Sequence, residues 1–172
     1  MNKEHNILSE RARKIAGKKG PENQSGEETI SVVEFLLTPE RYAFEEKYVS
    51  EVLFLRDITS VPGTPLFVMG VINLRGRILS IINFKRLFNL KERGLTELNK
   101  VIVLRNDNME FGVIADSITG NKSILLNTLS KPQLTFENNG AGYISGVTPD
   151  GLILLNAMSL LSSKQIIIAK QK

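Results

Sequence analysis

The sequence contains no cysteine, no tryptophan and a single histidine, His5. Without cysteine there is no thiolate nucleophile, no disulfide framework and no Cys-ligated zinc or cluster site. His5 lies in an N-terminal stretch too polar to build a stable site, so a Ser-His-Asp triad or a His-based metal cage in the body is excluded. Long hydrophobic runs are also missing: Leu66–Val71 and Leu152–Leu155 are the longest stretches of interest, against roughly 20 residues for a membrane-spanning helix. The opening MNKEHNILSERARKIAGKKG lacks the apolar stretch of a secretory signal. These absences predict a cytoplasmic chain with no direct membrane insertion.

Charge of one sign is equally scarce. Residues 1–28 carry six Lys/Arg against five Asp/Glu, and residues 29–172 carry sixteen against thirteen. Neither part is basic enough to require nucleic acid as a partner. A small β-barrel that binds nucleic-acid strands is the alternative, and it needs aromatics interleaved with basic residues on one face. Only 6% of the residues are aromatic, and most Phe occupy apolar-periodic positions that read as core.

The remaining chemical motifs fail on inspection. Gly140-Ala-Gly142-Tyr-Ile-Ser-Gly146 has the wrong spacing for a dinucleotide loop and no Lys-Ser/Thr after it. The Asp107–Gly112 segment places Met109 and Phe111 where a calcium loop needs oxygen ligands. Glu45 and Glu46 are neighbours in an expected strand, so they point to opposite faces and form no acid–base pair. No catalytic residue, cofactor site or metal site is expected.

What is present is ordinary globular material, 42% apolar and 23% charged, and a body near 140 residues buries about two thirds of its unfolded surface. Residues 1–28 read as a flexible tail: Leu8, Ala12 and Ile15 are at helical spacing, and Gly17, Gly20 and Pro21 stop any helix. From Thr29 the chain turns into short β-rich runs separated by turn residues. Strands are predicted at Val32–Leu37, Tyr42–Lys47, Gly70–Leu74, Arg77–Ile82, Val101–Arg105, Met109–Ile114, Gly142–Val147 and Leu152–Leu155, with Tyr48–Leu55 undecided between strand and helix. Arg75-Gly76, Asn106–Asn108 and Thr148–Gly151 are the turn signals between them. Lys91–Asn99 reads as a polar connector, Asn121–Gly140 as irregular, and Gln165–Ala169 as a last apolar segment.

An internal echo organises these pieces. Ile82-Asn83 with Leu87-Phe88, and Leu155-Asn156 with Leu160-Leu161, each read as strand end, Asn cap and one short helix. Two related β subdomains, each ended by a short helix, are therefore expected, with too few long helices for a βαβ fold.

Residues 48–88 carry something more specific. Val49, Glu51 and Val52, then Val61, Pro62 and Pro65, then Gly70, Asn73-Leu74-Arg75-Gly76 and Asn83-Phe84 form a long ordered constellation. It continues through Gly112–Asp116, YISGV and LILLNAMSLL. This pattern resembles the CheW family, the coupling proteins of chemosensory arrays, over about residues 29–163. Position 83 is Asn where that family usually has Asp, and residues 1–28 and 164–172 fall outside the match. The resemblance implies a mainly β fold of two small SH3-like five-stranded barrel subdomains sharing one core. It implies a non-enzymatic adaptor that links the cytoplasmic tip of a chemoreceptor to the regulatory domain of the histidine kinase CheA. By the same resemblance Glu51 and Arg75 match an interface ion pair, and Val49, Gly70, Val71, Ile114 and Ala115 match a receptor-binding groove. Asp116 either caps a turn or stands at that groove's rim.

Overall fold

The computed structural model describes residues 27–132 and 141–166, so nearly all of the tail, residues 133–140 of the stretch expected to be irregular and the end of the Gln165–Ala169 segment lie outside the described residues. Ten strands form two five-stranded sheets. The middle sheet is built from one continuous stretch of chain: β3 (Val49–Phe54), β4 (Val68–Leu74), β5 (Arg77–Ile82), β6 (Lys100–Arg105) and β7 (Glu110–Ala115), in spatial order β3-β6-β7-β5-β4. The terminal sheet combines β1 (Thr29–Leu37) and β2 (Glu40–Glu45) with β8 (Ser117–Leu125), β9 (Ile144–Val147) and β10 (Ile153–Leu155), in order β8-β1-β2-β10-β9.

The two spatial orders are the same pattern under a circular shift. In the middle sheet, β3, β4, β5 and helix α1 (Phe84–Leu87) are followed by the β6–β7 hairpin. In the terminal sheet, β8, β9, β10 and helix α2 (Ala157–Leu161) are completed by a hairpin taken from the start of the chain, β1–β2. The parallel contacts agree, β5 with β7 and β10 with β2. So does the capping: the Asn83 side chain accepts the Lys85 N–H at 2.9 Å, and the Asn156 side chain accepts the Ser159 N–H at 3.0 Å, each satisfying a helix-end donor.

Each sheet closes toward a barrel through one antiparallel bridge. Thr59, after β3, pairs with Val71 of β4, and Ser130, after β8, pairs with Val147 of β9. In both cases a glycine precedes the bridged valine, Gly70 or Gly146, and lets the crossing backbone approach closely.

Side-chain alternation explains why β6 is apolar from Val101 to Leu104. Ile102 and Leu104 face a core shared by both sheets, while Val101 and Val103 face the interior of the middle barrel. A strand buried on both faces reads as a continuous hydrophobic run. The terminal barrel has its own smaller interior of Val32, Ala43, Ile124, Leu152 and Leu154. The shared core is led by aromatics: Phe35 and Phe44 stack at 5.1 Å, and Phe84 meets Phe44 edge-on at 5.9 Å.

Three local expectations are corrected and one open between helix and strand is decided. The strand expected at Tyr42–Lys47 runs Glu40–Glu45, and Glu46–Tyr48 form a 3₁₀ turn that carries the chain from one sheet to the other. The undecided Tyr48–Leu55 segment is strand, fixed by pairing with β6 from Val49↔Leu104 to Phe54↔Lys100. The hairpin strand placed at Met109–Ile114 is Glu110–Ala115. Asn121–Leu125, read as irregular, is the end of β8, paired with β1 from Thr29↔Leu125 to Val33↔Asn121. Its polar residues are those of an edge strand with a solvated face, where a hydrophobic period is weak.

The Thr148–Gly151 turn is anchored by charge. The Thr148 hydroxyl, the Arg41 guanidinium and the Lys122 ammonium hold the Asp150 carboxyl well below the usual carboxylate range. A carboxyl depressed in the folded state stabilises it above the unfolded pKa near 3.9, and that contribution is lost as pH falls through the folded value. Asp150→Asn is therefore expected to lower the thermal midpoint at pH 7 by on the order of a few degrees. The gap to wild type should narrow below about pH 4. Midpoints recorded from pH 7 to pH 3 check this; a gap that stays constant would remove the linkage.

Candidate protein-binding surface

Glu51 lies on β3 and Arg75 at the tip of the β4–β5 turn. That turn needs left-handed backbone at two successive residues, Arg75 at φ 50° and Gly76 at φ 82°, a strain that glycine relieves at the second position. The Asn73 side chain accepts the Gly76 N–H at 2.9 Å and fixes the turn. Arg75 Nη2 then stands 3.2 Å from Glu51 Oε2, and Arg77 Nη2 lies 3.9 Å from Glu51 Oε1. Arg77 Nη1 also donates to Glu110 at 2.8 Å, extending the charges into a ladder over β3, β5 and β7. The Arg75 side chain is 75% exposed, so the pair contributes only about 0–1 kcal/mol to stability.

The ladder spans a seam. β3 and β4 are the two edges of the middle sheet, and between them runs a cleft of about 570 Å³ lined by Val52, Leu53, Phe54, Ile72 and Leu74. Beside it the sheet exposes apolar side chains, with Val52 at 41% and Phe54 at 55%. Phe54 shares a second depression with Leu95, itself exposed, and the Lys100 ammonium sits 3.0 Å above its ring centroid. Clustered exposure of this kind marks contact surfaces in soluble proteins. The sequence shows Val52-Leu53-Phe54 as an apolar run, which reads equally as a strand buried on both faces; only the edge position exposes two of the three.

The six residues matched to a groove fall in separate places. Val49 opens β3 and lines a depression with Tyr48, Arg105 and Met158. Gly70 is buried and Val71 half-buried on β4, both against Thr59. Ile114 and Ala115 are buried and face opposite sides, Ile114 into the middle barrel and Ala115 into the shared core. Asp116 sits where the chain crosses from the middle sheet to the terminal one, between β7 and β8.

Asp116 gathers donors from several elements. Its carboxylate accepts the Thr38 N–H at 2.8 Å, Lys85 Nζ at 2.7 and 2.9 Å, and Asn99 Nδ2 at 3.4 Å. Burial pushes its pKa up, but Lys85 and the Thr38 N–H outweigh that and leave it lowered. Lys85 was not singled out by sequence reasoning. Phe84 and Leu87 already supply the inward face of this four-residue helix, so the lysine between them reads as solvated, and nothing local signals that it turns inward.

Asn83 serves two partners at once. Its Nδ2 donates to Glu92 Oε1 at 2.7 Å while its oxygen caps α1. An Asp there would set two carboxylates against each other. Among the described residues no group of three or more Asp, Glu, His or Cys side chains could hold a metal ion. None of the described helices is long and apolar enough to cross a membrane.

Comparison with known proteins agrees with this architecture. The family model described as CheW-like domain matches residues 31–165. The chain is 31% identical over 147 residues to the chemotaxis protein CheW of Treponema pallidum, covering 81% of this chain and 86% of that one. It is 27% identical over 137 residues to CheW of Helicobacter pylori, covering 79% and 83%. Among solved structures, the scaffolding protein TtCheW from Thermoanaerobacter tengcongensis superposes with a TM-score of 0.70 at 27% identity, covering 80% of this chain and 96% of that one.

Proposed function

The chain belongs to the CheW-like domain family, and from that premise we propose that it is a cytoplasmic, non-enzymatic chemotaxis adaptor joining a chemoreceptor's cytoplasmic tip to the regulatory domain of the histidine kinase CheA. The observation that carries this reading is the exposed strip of Val52 and Phe54 beside the Glu51–Arg75 ladder. The described buried side-chain polar atoms already have partners, and three cores use the inward side chains. This surface has no internal use, which suits a protein whose work is contact.

In this reading the strip and the ladder take the kinase domain. The receptor tip is taken by Asp116 at the crossover and by Val71 and Val49, which lie toward the other end of the strands. Gly70 allows the close approach of the Thr59 backbone beside Val71, and Ile114 and Ala115 support the surface from inside. No membrane segment of its own is required, because the receptor supplies the membrane attachment. Nucleic acid has no role: of the described Phe and Tyr side chains only Phe54 is exposed, too few to stack successive bases.

Arg75→Glu places like charges against Glu51 at an exposed site. It is expected to leave the thermal midpoint within a few degrees. Affinity for the isolated kinase regulatory domain should fall about tenfold or more, ~1.4 kcal/mol. The double swap, Glu51→Arg with Arg75→Glu, should recover part of that binding. A double-mutant cycle on stability and on binding separates the cases. Coupling confined to stability sinks the interface role, and zero coupling in both sinks the pair.

A further inference from the structure

Lys85 is the one lysine of the described residues that the fold takes inside, at 6% exposure. Its ammonium is spent on Asp116, and the position of Asp116 makes that contact informative. The chain passes from the middle sheet to the terminal sheet through this residue. The Asp116 N–H donates to the Leu36 carbonyl at 2.9 Å, at the end of β1. Its carboxylate accepts the Thr38 N–H two residues further on. Lys85 approaches from α1 and Asn99 from the residue before β6, and Asn99 also donates to the Ala115 carbonyl at 3.1 Å. One carboxylate thus ties together four segments that the shared hydrophobic core holds only from beneath.

Resting on the adaptor reading above, we infer that Lys85 is a positioning residue for the receptor-facing surface: it latches the Ala115–Ile118 crossover against the β1–β2 hairpin and keeps the Asp116 carboxylate turned inward. The physical reason is directional. The core beneath is apolar packing, which resists separation but is non-directional. Asp116 lies at its rim, between Ala115 and Ile118, which pack on the core, and there hydrogen bonds set the direction of the side chain. A carboxylate held by an ammonium and a backbone N–H has one low-energy orientation. Deprived of the ammonium, it gains by swinging out to water, and it carries the crossover with it because its own N–H and Ala115 are bonded to the same cluster. A partner lying on this rim would then meet a displaced backbone and a free negative charge. The strip at Val52 and Phe54 stands on β3, separated from β7 and its crossover by β6, and its apolar side chains take no part in the Asp116 hydrogen bonds.

The test compares Lys85→Met, Lys85→Gln and Lys85→Arg with wild type at a temperature where each is fully folded. Two probes are titrated, a soluble fragment carrying a chemoreceptor's cytoplasmic hairpin tip and the isolated CheA regulatory domain. The expected result is a loss of about tenfold or more in tip affinity for Met and Gln, recovery with Arg, and kinase-domain affinity within about twofold throughout. Equal loss for both probes, or none for either, overturns the latch, since a general loss of structure would not choose between surfaces. If the wild type itself binds no receptor tip, the adaptor reading fails. The latch is then judged by hydrogen exchange at the Thr38 and Asp116 amides, expected about tenfold faster in Lys85→Met and Lys85→Gln than in Lys85→Arg. Unchanged protection there ends it. Should Met fail to fold, Gln and Arg carry the comparison alone.

Discussion

Phe84→Ala is expected to lower the unfolding free energy by about 3–5 kcal/mol while leaving one cooperative transition. Phe84 is fully buried and belongs to α1, at the end of the middle sheet. Its ring meets Phe44 of the terminal sheet edge-on at 5.9 Å and Phe88 at 5.0 Å. Truncation leaves a cavity bounded by both sheets, and neither can collapse into it without moving the other. The cost combines lost transfer free energy with that cavity. Against a total stability of about 5–15 kcal/mol this is a large fraction. Denaturant titration followed by fluorescence and far-ultraviolet circular dichroism gives the midpoint and the slope. A second transition in the variant would mean that each sheet is stable alone, and the shared core would lose its place as the centre of the fold.

Gly70→Ala is expected to cost about 2–5 kcal/mol, from two sources that act together. Gly70 has φ 141°, a conformation that L residues rarely adopt. An added Cβ would also fall on the Thr59 carbonyl oxygen and lie 2.7 Å from Ile58 Cγ2. The Thr59–Val71 hydrogen bonds, at 2.8 and 2.9 Å, are what close the middle barrel. The strand therefore either strains or lets that bridge go, and in the second case the barrel opens along the seam beside the exposed Val52 and Phe54 side chains. Gly146→Ala is the matched control. It holds the same place in the terminal barrel, but its added Cβ would meet Leu129 Cβ at 3.0 Å and the Ser130 carbonyl at 3.2 Å, distances that a small shift relieves. It should cost clearly less than Gly70→Ala in the same titration. Equal costs would remove the special role of the first bridge.

The Glu51–Arg75 contact shows how far local pattern reaches. Gly76 after Arg75 signals a tight turn, and alternation along β4 and β5 defines the hairpin beneath it. That Glu51, twenty-four residues earlier, meets the turn tip follows only once β3 and β4 become opposite edges of one curled sheet. The family resemblance supplied the pairing; periodicity alone did not. The exposed strip was less legible. Val52 and Phe54 have the hydrophobicity of core residues, and an apolar run says nothing about whether its strand is central or at an edge. Lys85 was illegible for the converse reason: a charged residue on a short helix reads as solvated until a carboxylate from a distant crossover is brought to it.

From sequence alone came the short-strand pattern, the Arg75-Gly76 and Thr148–Gly151 turns, and the two Asn-capped helices, because dihedral preference, capping and alternation act over a few residues. The missing cysteine and the lone tail histidine likewise narrowed the chemistry without any coordinates. The tertiary structure decided what depends on long-range pairing. It joined β2 to β10, more than a hundred residues later, paired the polar Asn121–Leu125 segment with β1, set Gly70 and Gly146 at the two barrel closures, and drew Lys85 inward to Asp116. Each of these joins segments distant along the chain, where local propensity has no reach and only the summed burial of three cores selects one partner over another.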